Sequence, residues 1–341
     1  MKNLVRFLFV QFVFLFLALA AFAQNPTPTP PIEDTSKTFE VRLPVTVMDK
    51  KKNLVFCSES KNLRDKDKNK EIVKCFSKDD FVVLEDGVPQ EITFFTDEKT
   101  NPPVFVGVLM DTSPSTAGKM AFSKRAASDF LYTVVRLRKD RGAFMTFDHE
   151  VNLVQDFTDK LDLLDKAVDK VKKVGSQTAL YDAVWQFADE KLRNAPGRRV
   201  IVVITDGDDT FSRADLNDAI DIAQRTETTI FGISTKEAFL GAVPGVDAGQ
   251  VRDKGDKYLE RFCEETGGEA FFTGDMRALE ESFTNISKEL RSQYIITYRP
   301  ANQNYDGRKR KIEVVFKNKE NAEKFKIRSK SEYRSVRDSL K

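Results

Sequence analysis

Histidine is nearly missing from this chain. His149 is the only one among 341 residues, and it sits in Asp148-His-Glu150, a turn between two apolar stretches, where a surface position is expected. A general base needs a nucleophile within hydrogen-bond reach, and the sequence around His149 suggests none. No Gly-x-Ser-x-Gly element is present either, which disfavours a serine hydrolase. Cysteine is sparse, with Cys57, Cys75 and Cys263. In an oxidising compartment Cys57 and Cys75 could join across the polar stretch between them, because their flanks Val55-Phe56 and Phe76 look like strand ends. Cys263 lies in a helical pattern and is expected as a buried thiol. An excess of either charge is missing as well: 55 basic against 53 acidic side chains leave +2. That balance argues for neither nucleic acid nor an anionic membrane as partner. No internal repeat is evident.

Long apolar runs are confined to the N-terminus. Lys2 and Arg6 precede a run from Phe7 to Ala20 that Gln11 interrupts, somewhat short for a spanning helix. Ala21-Phe-Ala23 then offers small residues before a cut at Gln24. Residues 1–23 read as a secretory signal peptide, which makes the mature protein secreted or periplasmic. Residues 24–37 form a stiff Pro/Thr-rich linker.

From residue 38 to 98 the pattern is β. Phe39–Met48 alternates apolar and polar, and Asp79–Leu84 and Glu91–Phe95 flank the turn Glu85-Asp-Gly87. Ser58–Glu71 interrupts this unit with a charged stretch. Asp65-Lys-Asp67-Lys-Asn69 resembles the start of a calcium loop, but Lys70 replaces the turn glycine and Phe76 the bidentate carboxylate, so a solvated loop is expected. From 101 to 292 strands alternate with helices. Val104–Met110 and Val200–Ile204 are continuous apolar runs, as in strands buried on both faces. Ala117–Leu137, Lys160–Lys173, Ala179–Arg193, Ala214–Arg225 and Met276–Arg291 have helical periodicity. This is an α/β pattern, a Rossmann-like, mostly parallel sheet covered by helices on both sides. Residues 293–331 turn β again, read as a hairpin of Lys311–Phe316 and Lys324–Ile327 around a turn at Lys319–Asn321 and packing on the first β unit; 332–341 is a tail. The basic stretches Arg308–Lys311 and Lys324–Lys330 read as the solvated face of that hairpin. Trp185, on a helix face with Tyr181, Ala188 and Leu192, is expected in the core.

Three short segments carry the chemistry. Asp111-Thr-Ser113-Pro-Ser115 ends the first apolar run, Gly175-Ser-Gln-Thr178 lies before a helix, and Asp206-Gly207 ends the second run. Ligand sites in such folds lie outside the carboxyl ends of the strands. Alternate residues of an extended loop face the same way, so Asp111, Ser113 and Ser115 can line one side of a cation. With Thr178 and Asp206 they offer hard oxygens suited to Mg²⁺, or to Mn²⁺ or Ca²⁺. Two carboxylates barely neutralise the ion, which leaves it open to a carboxylate from outside. Helix capping is the competing role for a single Asp after a strand; the full set favours a metal site. Asp182 reads as packing or capping around the Thr178 loop, Asp208-Asp209 as an exposed turn, and Lys236–Gly255 as a flexible loop on the same rim.

On these residues, the segment Pro103–Ser292 resembles a von Willebrand factor type A (VWA) domain, with Asp111-Thr-Ser113-Pro-Ser115, Thr178 and Asp206 matching its metal-ion-dependent adhesion site. The resemblance implies direct coordination by Ser113, Ser115 and often Thr178, with Asp111 and Asp206 acting largely through waters. The flanks, with Val45-Thr-Val-Met-Asp49 and Tyr298-Arg-Pro300, resemble secreted bacterial proteins related to this domain, a group common in Acidobacteria. The expected function is therefore an exported module that binds a protein through a Glu or Asp of that protein, rather than an enzyme. A scaffolding role in an envelope assembly is the alternative. A phosphatase of the haloacid dehalogenase type ranks lower, because it wants a second Asp two residues after Asp111, where Ser113 stands.

Overall fold

A computed structural model describes residues 40–51, 53–56, 72, 73, 75–96, 102–172, 174–236, 253–272, 275–304 and 306–335. The signal peptide, the linker, the Ser58–Glu71 stretch, the Cys57 end of the expected disulfide, the terminal tail beyond Ser335 and most of the Lys236–Gly255 excursion lie outside these residues.

Ahead of the apolar run at 104 the chain forms β1 (Val41–Asp49), β2 (Val55–Phe56), β3 (Ile72–Val73), β4 (Phe81–Glu85), β5 (Val88–Gln90) and β6 (Ile92–Thr96). The turn between β4 and β5 uses Asp86 and Gly87 at positive φ, 50° and 81°, where glycine costs nothing sterically. The central segment supplies β7 (Val104–Asp111), β8 (Arg141–Phe147), β9 (Val151–Thr158), β10 (Arg198–Thr205), β11 (Thr228–Ser234) and β12 (Ala270–Phe271). They form one six-stranded sheet in the order β12-β11-β10-β7-β8-β9. All neighbours are parallel except β8 and β9. β7 and β10 sit at its centre, which is why they read as unbroken apolar runs.

Helices α1 (Met120–Val134), α2 (Leu161–Asp169) and α6 (Met276–Ser292) cover one face, burying Phe130, Leu131, Leu164 and Phe283 against Val104, Val106, Val108 and Met110. Helices α3 (Leu180–Gln186), α4 (Leu216–Arg225) and α5 (Lys254–Glu265) cover the other, with Val184, Phe187, Ile220 and Phe262 against Leu109 and Ile201. Gly107 faces this second layer because the Phe187 ring occupies its side-chain space; a Cβ there would lie 2.1 Å from the ring. Cys263 is fully buried in the same layer, where burial pushes its thiol pKa up, so it is an inert packing residue.

α3 passes into a π-helical turn, Phe187–Leu192. Tyr181, Ala188 and Leu192 are buried, but Trp185 is 42% exposed, against the expectation of a core position. The buried stripe runs through Leu180, Val184 and Phe187, and Trp185 lies about 100° around the helix from Val184, at the edge of that stripe.

After α6 come β13 (Tyr294–Tyr298), β14 (Lys309–Phe316), helix α7 (Lys319–Lys324), β15 (Phe325–Arg328) and β16 (Glu332–Arg334). Two further four-stranded sheets result, β15-β1-β13-β6 and β16-β14-β4-β5. β1 runs antiparallel to β13, from Val41 opposite Tyr298 to Val45 opposite Tyr294. β14 and β15 are not a hairpin: β14 pairs with β4 and β16, and β15 with β1. The expected turn at Lys319–Asn321 is instead the start of α7, which Asn318 caps through the Glu320 N–H at 2.9 Å. The inward faces of both sheets share a core of Leu43, Val45, Phe76, Phe81, Tyr294 and Phe316, with the Phe76 and Phe316 ring centres 5.2 Å apart. The basic stretches are not simply a solvated face: the Arg310 side chain is 2% exposed and Lys330 is 6% exposed.

Candidate metal centre

β7 delivers Asp111 to the edge of the parallel sheet and buries it completely. The Ser113 N–H donates to its Oδ1 at 2.8 Å, and the Thr205 hydroxyl, at the end of β10, donates to its Oδ2 at 2.7 Å. Pro114 then opens a 3-10 helix, Pro114–Lys119. Buried Thr116 holds this turn by donating to the Ser113 carbonyl at 2.8 Å. Ser113 is buried and Ser115 exposed, with their hydroxyl oxygens 3.1 Å apart. These are two neutral oxygens side by side above a carboxylate.

Thr178 is buried in the second loop, which is fastened on both sides. Toward the third loop, its N–H donates to the Thr210 hydroxyl at 3.0 Å, and its carbonyl accepts from the Thr210 and Phe211 N–H groups at 3.0 and 2.9 Å. Toward the first, the Gly175 N–H donates to the Thr112 carbonyl at 2.8 Å, and the Ala179 N–H to the Asp148 carbonyl at 2.7 Å. Asp148 is the hub of that side, since its Oδ2 also accepts from the Thr112 hydroxyl at 2.9 Å. Gly175 has no side chain because a Cβ would lie 2.1 Å from the Asp148 carboxyl carbon. Supporting bonds of this kind set the geometry of metal ligands. Asp148→Ala therefore lowers the affinity for a divalent ion about tenfold without unfolding the protein, as calorimetric titration of the ion with circular dichroism will show.

The third loop follows β10. Asp206 is 4% exposed and accepts from the Asp208 N–H at 3.3 Å. Gly207 has φ +81°, and a Cβ on it would lie 2.4 Å from the Gly255 carbonyl, so this loop presses against the first turn of α5. Asp208 is exposed, whereas Asp209 is half-buried and caps α3, accepting from the Leu180 N–H at 2.8 Å. Asp182 returns the bond, accepting from the Arg213 and Ala214 N–H groups at 3.0 and 2.9 Å. Burial disfavours the Lys236 ammonium, but Asp253 and Asp208 offset this and hold its pKa above the ordinary value.

Burial pushes the Asp111 pKa up to about 6, against the hydrogen bonds from Ser113 and Thr205, and the nearby Asp206 charge adds to the rise. Among the described residues neither Asp111 nor Asp206 is paired with a cationic side chain; Lys236 goes to Asp208 and Asp253. Two buried carboxylates without a counter-charge, beside two adjacent hydroxyls, fit a divalent cation. No group of three or more His, Cys, Asp or Glu that could hold a metal occurs among the described residues, so an ion here relies on Ser and Thr oxygens. Free of metal, Asp111 stabilises the fold only while protonated. That contribution, about 3 kcal/mol, is complete below pH 3.8 and lost as pH rises through about 6. Added Mg²⁺ accordingly raises the melting temperature at pH 7 more than at pH 5, measurable by thermal denaturation.

Of the ligands expected from sequence, hydrogen bonds join Asp111 to Ser113 and to Thr205, the residue before Asp206, and tie the loop of Thr178 to both others. Sequence reasoning misses Thr205, Asp148 and Asp209. Their one local signal is position, as polar residues at or just past the end of an apolar strand.

A family model for the von Willebrand factor type A domain matches residues 106–285. Among solved structures, a von Willebrand factor type A protein from Catenulispora acidiphila is similar at 14% identity over 78% of this chain and 76% of that one, with a TM-score of 0.44. An aerotolerance-related membrane protein from Bacteroides fragilis, carrying multiple mutations to serine, is 15% identical over 55% of this chain and 98% of its own, TM-score 0.43. Proximal thread matrix protein 1 from the mussel byssus, with a zinc-occupied MIDAS motif, is 15% identical over 58% of this chain and 48% of its own, TM-score 0.44. Likenesses this remote transfer neither ligand nor role. No curated protein matches the chain.

Proposed function

Since the chain belongs to the von Willebrand factor type A domain family, we propose that it is an exported binding module that recognises a protein through a divalent ion, Mg²⁺, held by Asp111, Ser113, Ser115, Thr178 and Asp206. The observation that carries this reading is the buried, uncompensated pair Asp111 and Asp206 beside the Ser113 and Ser115 hydroxyls. As the family resemblance implies, Ser113, Ser115 and often Thr178 would bind the ion directly, with Asp111 and Asp206 acting largely through waters. Such an ion would stay short of negative charge and would accept a Glu or Asp of the recognised protein. Ser115, exposed at the mouth, marks the side from which that carboxylate arrives.

Binding without catalysis is the simplest reading of the surroundings. His149 has a 43% exposed side chain, and its Nδ1 lies 2.8 Å from Asp148 Oδ1. The reading of residues 1–23 as a signal peptide supports export. Among the described residues no helix is long and apolar enough to cross a membrane. The test is calorimetric titration of Mg²⁺, followed by a pull-down from envelope extract in Mg²⁺ and in chelator. Asp206→Ala abolishes both Mg²⁺ binding and capture while keeping the circular dichroism spectrum. Capture that persists unchanged in chelator defeats the reading, and full Mg²⁺ binding with no carboxylate-dependent capture favours a scaffold whose rim the metal only stiffens.

A further inference from the structure

We infer that the groove between α3 and α4 is a second binding site, and that it takes a neutral oligosaccharide stacked on Trp185. The inference does not rest on the metal-site reading. The groove has a volume of about 810 Å³, within the range that encloses a small ligand. Its walls come from α3 with the π-helical turn that follows it, and from α4 with the loop before it. Asp182 fastens the two walls together by accepting from the Arg213 and Ala214 N–H groups at 3.0 and 2.9 Å. Trp185, 42% exposed, is the aromatic residue of the lining. Its apolar remainder is small, Ala214 and the buried Ile222, and the other side chains described on the walls are carboxylates, guanidiniums and one amide.

Both signs of charge line the groove, and this decides what it can hold. Two of the carboxylates are already neutralised, Asp189 by Arg193 and Asp221 by Arg334. Among the described residues the exposed guanidiniums of Arg213 and Arg225 have no such partner. Glu190 accepts from Gln186 Nε2 at 3.4 Å, and Asp218 from the Asp215 N–H at 3.1 Å. An ion of either sign meets repulsion from part of this wall. A neutral polyol does not, because each of its hydroxyls both donates and accepts. It satisfies carboxylates and guanidiniums together and brings no charge of its own to be desolvated. Each of those groups presents two donors or two acceptors side by side, which suits neighbouring hydroxyls on a sugar ring. The C–H bonds on the face of that ring carry slight positive charge and lie well on the negative face of an indole. The π turn points the same way. It replaces regular helical hydrogen bonds with a rare pattern found often at functional sites, and it carries Asp189 and Glu190 to the groove.

Trp185 is the sole tryptophan, so its emission reports on the groove directly. Short soluble oligosaccharides of glucose, of mannose and of N-acetylglucosamine are titrated against that emission in chelator, which keeps divalent ions off the protein. At least one series is expected to saturate and to shift the emission to the blue. Calorimetry with that sugar then shows Trp185→Ala weakening it about tenfold and Arg225→Ala about fivefold. Both variants keep the circular dichroism spectrum and the Mg²⁺ affinity of the wild type. Silence from every series overturns the inference. So does a sugar bound equally by wild type and Trp185→Ala, because it sits elsewhere. Emission shifts caused by charged peptides, with every sugar silent, give the groove to a protein partner and overturn the inference as well. The metal-site reading stands or falls separately, on capture in Mg²⁺ against chelator.

Discussion

Replacing Lys330 with methionine raises the unfolding free energy by about 2 kcal/mol at pH 7. Lys330 is 6% exposed, and no carboxylate pairs with it among the described residues. Its ammonium stands 5.9 Å from the centre of the Tyr333 ring. Burial pulls its pKa from 10.5 down to about 8, with Glu227 opposing weakly. That displacement is worth roughly 3 kcal/mol against the charged side chain, of which the ring returns up to about 1. Because the folded pKa lies below the unfolded one, the penalty is full below pH 8 and fades as pH rises from about 8 to 10.5. Methionine fills similar space without charge. Urea denaturation across pH 7 to 10.5 therefore shows the two proteins converging at the alkaline end. A methionine variant that is less stable at pH 7, or a difference that ignores pH, refutes the account.

Glu85→Ala costs about 3–5 kcal/mol. Glu85 is 3% exposed. Its Oε2 accepts from the hydroxyls of Tyr298 at 2.7 Å and Tyr333 at 2.9 Å, and its Oε1 lies 3.4 Å from Arg310 Nη1. Burial pushes both phenol pKa values up, and the carboxylate reinforces the rise, so both hydroxyls remain donors. Tyr298 lies in one flanking sheet and Glu85, Arg310 and Tyr333 in the other, so the cluster ties the two together. Removing the carboxylate leaves a buried guanidinium that, among the described residues, keeps the Asn302 and Asn304 carbonyls and the edge of Asp306. Glu85→Leu combined with Arg310→Met recovers most of the loss, because a paired apolar replacement leaves no buried charge. The measurement is equilibrium denaturation of the single and double variants. A single-variant loss under about 1 kcal/mol would mean that water reaches the cluster.

These two residues also show where the sequence becomes opaque. Strands β7 and β10 are legible because burial on both faces leaves an unbroken apolar run, and the candidate ligands Asp111 and Asp206 follow directly from their ends. Arg310 sits at an inward position of the alternating strand β14, and although Asp306 lies four residues before it, its buried acidic partner, Glu85, stands 225 residues away. Local pattern cannot distinguish such a side chain from a solvated one. The same distance effect hides Asp148, whose partner Thr112 is 36 residues earlier. Trp185 escapes for a different reason. A stripe read from spacing has no sharp margin, and one position of rotation carries an aromatic ring from core to groove.

The pairing of β1 with β13, and of β4 with β14, bears on the order of assembly. Val41 meets Tyr298 and Phe81 meets Phe316 only across the whole length of the parallel-sheet segment. Loop-closure entropy makes such distant strand pairs slow to form, while the contacts inside the segment between them are nearer in sequence. By this argument the rim that carries the candidate metal centre forms during synthesis before the outer strands can find one another, and folding ends with the closing of a seam far along the chain from that rim.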